Sequence, residues 1–125
     1  MCIPGLLSSL AAEFPSSNQE TNGQKPICIL LGIEAHICIT QTALDLVAAG
    51  YKVYVLADGV SSCNREEVPI ALRRLAGEGV VVSSSESVLY EIMGDAGVGE
   101  FRDVAGLVRG GKERSREVLG GLCKI

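Results

Sequence analysis

The spacing of apolar and polar residues changes period several times along the chain, and each change marks an element. Pro4 to Phe14 sets Leu6, Leu7, Leu10 and Ala11 on one side, which predicts a short helix. Pro15 to Pro26 is polar, rich in Ser, Asn and Gln and broken by Gly23, and reads as an exposed loop between two structured pieces. Ile27 to Leu31 is apolar at every position. Such a run predicts a buried strand with neighbours on both sides. From about Ala35 to Ala49 the period turns helical, with Ile39, Ala43, Leu46 and Val47 on one face and Gly50 placed to end it.

Lys52 to Ala57 is β-branched and aromatic and predicts a second strand, with Asp58-Gly59 as its closing turn. Asn64 followed by Glu67 suits an N-cap and its capping-box partner. The helix they open is expected to run to about Ala76, with Ile70, Leu72 and Leu75 facing inward. In that reading Pro69 lies beyond the first turn, where it removes a hydrogen bond and distorts the helix. Val80 to Val82 predicts a third strand, and Ser84 or Ser85 caps a helix through Met93 that carries Val88, Leu89 and Ile92. Gly94 to Gly99 reads as a turn and Glu100 to Val108 as a last short helix. Gly110 onward, charged and glycine-rich apart from Val118, Leu119 and Leu122, reads as a loose tail.

Strands alternating with helices through short connections predict an α/β domain, a parallel sheet between two layers of helices. Three strands are few for such a sheet, both of whose faces need cover. The expected organisation is a helix and polar loop over 1–26, the α/β unit over 27–109 and a tail over 110–125.

Composition narrows the class. At 125 residues, 47% hydrophobic and 21% charged, the chain is a single globular domain. A net charge of -4 gives no electrostatic reason to bind nucleic acid or an anionic membrane. Trp is absent and aromatics are few, so stacking platforms for bases or sugars are not expected. No apolar run reaches the roughly 18 residues of a membrane span, and the first residues do not have the pattern of a signal peptide. These features predict a cytoplasmic protein. The five cysteines, Cys2, Cys28, Cys38, Cys63 and Cys123, are odd in number and widely spaced, which predicts reduced thiols rather than a disulfide framework or a zinc site.

Chemistry gathers around Cys38. It falls at the carboxyl end of the first strand and at the start of a helix, where backbone amides favour a thiolate or the oxyanion of a tetrahedral intermediate. From local sequence alone, a buried structural cysteine is the leading alternative. His36 is the only histidine, but two residues along a helix it faces away from Cys38, so it reads as a pocket-wall residue rather than a base. Glu34 and Asp58 end the first two strands, on the sheet edge where ligands bind in such folds. Either suits orienting a substrate or a helix end, and for Asp58 a turn former before Gly59 is the favoured reading. Ser61-Ser62-Cys63 lies on the same edge. No phosphate-binding glycine motif and no metal-ligand cluster is present in the sequence.

The segments Gly32-Ile33-Glu34-Ala35-His36-Ile37-Cys38-Ile39, Gln41 to Leu46, Asp58-Gly59-Val60-Ser61-Ser62, Ala71 to Leu75, Ser85 to Leu89 and Gly94-Asp95-Ala96 together resemble the isochorismatase-like cysteine hydrolases, best in their eukaryotic isochorismatase-domain branch. The resemblance covers about Ile27 to Val108. It implies a Rossmann-like isochorismatase fold, here truncated to about three strands, and a cofactor-free cysteine mechanism. By resemblance Cys38 is the nucleophile, and the oxyanion site, beside a non-proline cis peptide, maps to Ile33-Glu34 and the amide of Cys38. His36 and Asp58 are candidate pocket residues. The family's catalytic Asp and Lys lie upstream of the cysteine motif. Here no Asp precedes Cys38, and Lys25 is the only lysine before it. The chain therefore resembles the C-terminal portion of such a hydrolase. Cys63 stands where relatives commonly carry Arg.

Three readings follow. One is a hydrolase of small amide, ester or vinyl-ether substrates through Cys38, inactive as this chain unless the missing groups are supplied. The second is a non-catalytic, truncated paralogue that forms a homo-oligomer or pairs with a full-length relative. The third is a reactive-thiol redox protein.

Overall fold

The computed structural model describes residues 4–13 and 26–122. Helix α1 (Pro4–Glu13) is followed by strand β1 (Ile27–Gly32), a π-helical turn (Ala35–Ile39) and helix α2 (Thr40–Ala48). Strand β2 (Lys52–Val60), helix α3 (Glu67–Gly77), strand β3 (Val81–Ser83) and helices α4 (Ser85–Met93) and α5 (Phe101–Leu122) complete the chain. The three strands form one parallel sheet in the order β1-β2-β3. This is the α/β architecture that the alternation of elements predicts.

One core holds it. Ala35, Ile39, Ala43 and Leu46 on the first helical run meet Val53, Val55, Ala57 and Val60 of β2, and Val68, Leu72 and Leu75 of α3 close the far side. The 3.6-residue spacing lets α2 bury a continuous stripe against β2, while α3 packs on the π-helical turn, β3 and α2. Leu7 and Leu10 of α1 and Leu119 of α5 pack at its margin. On the opposite face of the sheet, Tyr54 and Val88 are buried.

Several expectations are corrected. Among the described residues β1 has a neighbour on one side only, β2, and Ile27, Ile29 and Leu31 are exposed. Its composition reflects a strand built for two neighbours, of which the described residues supply one. β2 does not end at Ala57 but runs through Asp58-Gly59 to Val60. Leu30 pairs with Val55 and Gly32 with Val60, so the Leu56–Gly59 stretch bulges between them. Asn64 and Glu67 form no capping box. The helix starts at Glu67, and its N-cap position makes no side-chain hydrogen bond. Pro69 thus falls in the first turn, where its missing N–H has no intrahelical partner to lose. Ile70 is exposed, and Val68 and Ala71 take the inward positions.

The segment after Gly110 is not a loose tail. It continues α5 without a break to Leu122. Phe101, Val104, Val108, Gly111, Ser115 and Val118 recur at spacings of three and four and form its partly buried stripe. Burial of that stripe outweighs the helix penalty of Gly110 and Gly111, about 1 kcal/mol each. Among the described residues no helix is long and apolar enough to cross a membrane.

Candidate functional site

The site forms where the carboxyl ends of β1 and β2 meet. Gly32 ends β1 with a φ of 128°, a conformation that L side chains avoid. The next peptide bond, Ile33–Glu34, is cis. Two backbone hydrogen bonds then tie this turn to the end of β2. Ser61 N–H donates to the Gly32 carbonyl (3.1 Å), and Ala35 N–H donates to the Ser61 carbonyl (2.9 Å). The Glu34 carbonyl accepts from the amides of Ile37 (3.2 Å) and Ile39 (3.1 Å), which winds the first turn as a π-helix. The Thr40 hydroxyl, buried, donates to the Ala35 carbonyl at 2.7 Å and locks the base of the turn.

Within that turn Ala35 and Ile39 point into the core, and Ile37 and Cys38 point to solvent. The buried-cysteine alternative is thereby overturned. Cys38 presents a free, exposed thiol on the opening turn of the helical segment. Cys63 is also free and exposed, and Cys28 is half-buried. Cys2 and Cys123 lie outside the described residues.

The remaining polar side chains of the turn face the Ser61–Asn64 loop. Glu34 accepts from the Cys63 N–H through Oε2 at 2.8 Å. His36 Nδ1 lies 2.9 Å from Ser62 Oγ, so the imidazole is engaged by Ser62. Ser62 is buried, and its oxygen also accepts from the Asn64 N–H at 3.1 Å. The Cys63 amide, and after it the Ser62 hydroxyl, hold the Glu34 carboxyl below the usual carboxylate range.

Asp58 belongs elsewhere. Its Oδ1 accepts from the Ser85 N–H at 2.7 Å, and its Oδ2 accepts from the Ser85 hydroxyl. It is thus not a turn former. The β2 bulge brings its carboxylate to the first residue of α4, where it satisfies an amide that the helix itself leaves unpaired. Sequence reasoning placed Ser62 on the right edge without a role. Its partners are 26 residues away in His36 and two in Asn64, and only the side-by-side strand ends reveal the first. Among the described residues no group of three or more His, Cys, Asp or Glu is arranged to hold a metal ion.

The isochorismatase domain model matches residues 22–87, more than half of the chain. The chain belongs to the isochorismatase family. It is 37% identical over 109 residues to isochorismatase domain-containing protein 1 of Danio rerio, covering 87% of this chain and 35% of that protein. It is 38% identical over 109 residues to the secreted isochorismatase effector Isc1 of Phytophthora sojae, covering 87% of this chain and 48% of that one. Among solved structures, the MAR1 ribonuclease from Caenorhabditis elegans superposes with a TM-score of 0.69 at 29% identity, over 87% of this chain and 50% of that one. An isochorismatase-like hydrolase from Alkaliphilus metalliredigens superposes with a TM-score of 0.57 over 69% of this chain, at 24% identity, a likeness of fold. The chain thus spans about a third to a half of the length of these relatives.

Proposed function

We propose that this isochorismatase-family chain carries the nucleophile and oxyanion turn of a cysteine hydrolase acting on small amide, ester or vinyl-ether substrates. The observation that carries this reading is the exposed Cys38 thiol on the first helical turn beyond the carboxyl end of β1. In an acyl substrate the Cys38 thiolate adds to the carbonyl carbon, and the carbonyl electron pair moves onto oxygen. Backbone amides at Ile33-Glu34 and the amide of Cys38 receive that oxyanion. Collapse expels the amine or alkoxide and leaves a thioester on Cys38, which water then hydrolyses.

Both proton transfers need a base. No Asp precedes Cys38 in these 125 residues, and His36 Nδ1 is taken by Ser62. The chain by itself is therefore expected to acylate once and to turn over poorly, and full hydrolysis waits on a carboxylate brought from outside it. Cys63, equally a free and exposed thiol, supplies the internal control.

The test is competitive labelling read by peptide mass. With an activated ester, Cys38 should acylate faster than Cys63 by about tenfold or more, because oxyanion donors stabilise that transition state. With iodoacetamide, whose displacement makes no oxyanion, the ratio should collapse toward one. Equal Cys38 to Cys63 ratios for both reagents would remove the oxyanion turn, and with it the hydrolase reading. A Cys38 preference confined to oxidants would favour the reactive-thiol alternative.

A further inference from the structure

Backbone hydrogen bonds tie the Cys38 turn to the end of β2 through one residue. Ser61 donates to the Gly32 carbonyl and accepts from the Ala35 N–H. Beyond Ser61 the loop meets the turn through side chains. Glu34 Oε2 accepts from the Cys63 N–H at 2.8 Å, and His36 Nδ1 lies 2.9 Å from Ser62 Oγ. Ser62 is buried and also accepts from the Asn64 N–H, which anchors the loop side of the contact.

Glu34 is placed to govern both segments. Its carbonyl accepts from the amides of Ile37 and Ile39 and so winds the turn, while its carboxylate reaches a residue 29 positions further along. It also stands at the N-cap position of the turn, where a carboxylate has unpaired amides of its own segment within reach. Its side chain makes no hydrogen bond to them. The Cys63 amide, and after it the Ser62 hydroxyl, hold the carboxylate in its ionised, stronger accepting form.

We propose that the Glu34 side chain is a positioning residue for the Cys38 site. Its grip on the Cys63 amide holds the Ser61–Asn64 loop against the turn and keeps a negative charge off the turn's own amides. The benefit to acyl transfer rests on the hydrolase reading above, whereas the grip itself does not. An oxyanion then meets donors that no resident carboxylate occupies. A displacement of about 1 Å at such a site costs on the order of 100-fold in rate, so loss of one of several ties should cost about tenfold.

Two readouts on the full 125-residue chain test this. The first is amide hydrogen exchange followed by NMR. Glu34→Ala should speed exchange of the Cys63, Ile37 and Ile39 amides about tenfold or more. The Val88 amide, which donates to the Ser84 carbonyl in α4, should not change. The second readout is the rate of Cys38 with 4-nitrophenyl acetate divided by its own rate with iodoacetamide, a ratio that cancels changes in thiolate fraction. Glu34→Ala should lower the ratio about tenfold. Glu34→Gln keeps an acceptor of the same reach and should restore most of that loss. Glu34→Asp keeps the charge but is one methylene shorter and is a favoured N-cap, so its carboxylate turns onto the turn's amides. It should lower the ratio at least as far as alanine does, and it serves if Glu34→Ala fails to fold. A merely structural Glu34 would lower both rates together and leave the ratio unmoved.

The proposal is overturned if the alanine variant leaves exchange of the three amides unchanged. A ratio that stays at the wild-type value in the alanine and aspartate variants overturns it too, as does a glutamine variant no better than alanine. A wild-type Cys38 with no preference for the ester defeats the hydrolase reading, and the exchange readout then decides by itself whether Glu34 holds the turn.

Discussion

Asp58 offers a direct measure of what the β2 bulge achieves. Its two carboxylate oxygens accept from the N–H and the hydroxyl of Ser85, so one side chain holds the start of α4 from across the sheet end. Removing it with Asp58→Ala leaves the Ser85 amide and hydroxyl without their charged acceptor. Loss of a helix-start acceptor of this kind costs about 2 kcal/mol, drawing on the range for capping residues and for hydrogen bonds to a charged group. For a domain of this size that corresponds to a fall in Tm of roughly 8 °C. Asp58→Asn keeps one carbonyl oxygen for the Ser85 amide and should lose about half as much. Urea unfolding followed by circular dichroism reads both, with the slope against denaturant unchanged. A turn former before glycine would give another pattern, because asparagine serves that role as well as aspartate. Asp58→Asn equal to wild type, or Asp58→Ala within 0.5 kcal/mol of it, would refute the bridge to α4.

Two further predictions use the same assay. A methyl group on Gly59 would lie 3.0 Å from Leu56 Cβ and 3.2 Å from Leu31 Cβ, so Gly59→Ala should destabilise by about 1–3 kcal/mol. Gly77→Ala meets nothing within 4 Å and should be neutral or stabilising by roughly 0.5 kcal/mol. Glu34 has a folded pKa below its ordinary 4.5, so its contribution is fully present above 4.5 and is lost as pH falls through the lowered value. Wild type should therefore lose stability below about pH 4.5 more steeply than Glu34→Gln. Parallel acid profiles for the two would show that the Cys63 and Ser62 contacts do not act on Glu34 in solution.

Much of this molecule was legible along the chain. The helical faces of Ala43 and Leu46, the strand from Lys52 and the Ser84 cap of α4 are local patterns, and the structure has each. The exposure of Cys38 was not legible. It depends on a π-turn in which Ala35 and Ile39 take the core positions and leave Cys38 to solvent. The roles of Ser62 and Asp58 were hidden for another reason. Their partners, His36 and Ser85, are 26 and 27 residues distant, and no short window contains both ends. The glycine pair at Gly110 misled because local propensity argued for a stop, while the stripe from Phe101 to Val118 needed the rest of the fold to reward it.

The sequence by itself determined the α/β class, the family and the position of the thiol, because periodicity and motif spacing are written in consecutive residues. Only the tertiary structure decided which side chains the two strand ends bring together. Parallel strands place their carboxyl ends side by side while keeping them far apart in the chain. The same structure decided that, among the described residues, β1 pairs with β2 and leaves Ile27, Ile29 and Leu31 exposed, since which strands neighbour it is a property of the assembled sheet and not of the strand.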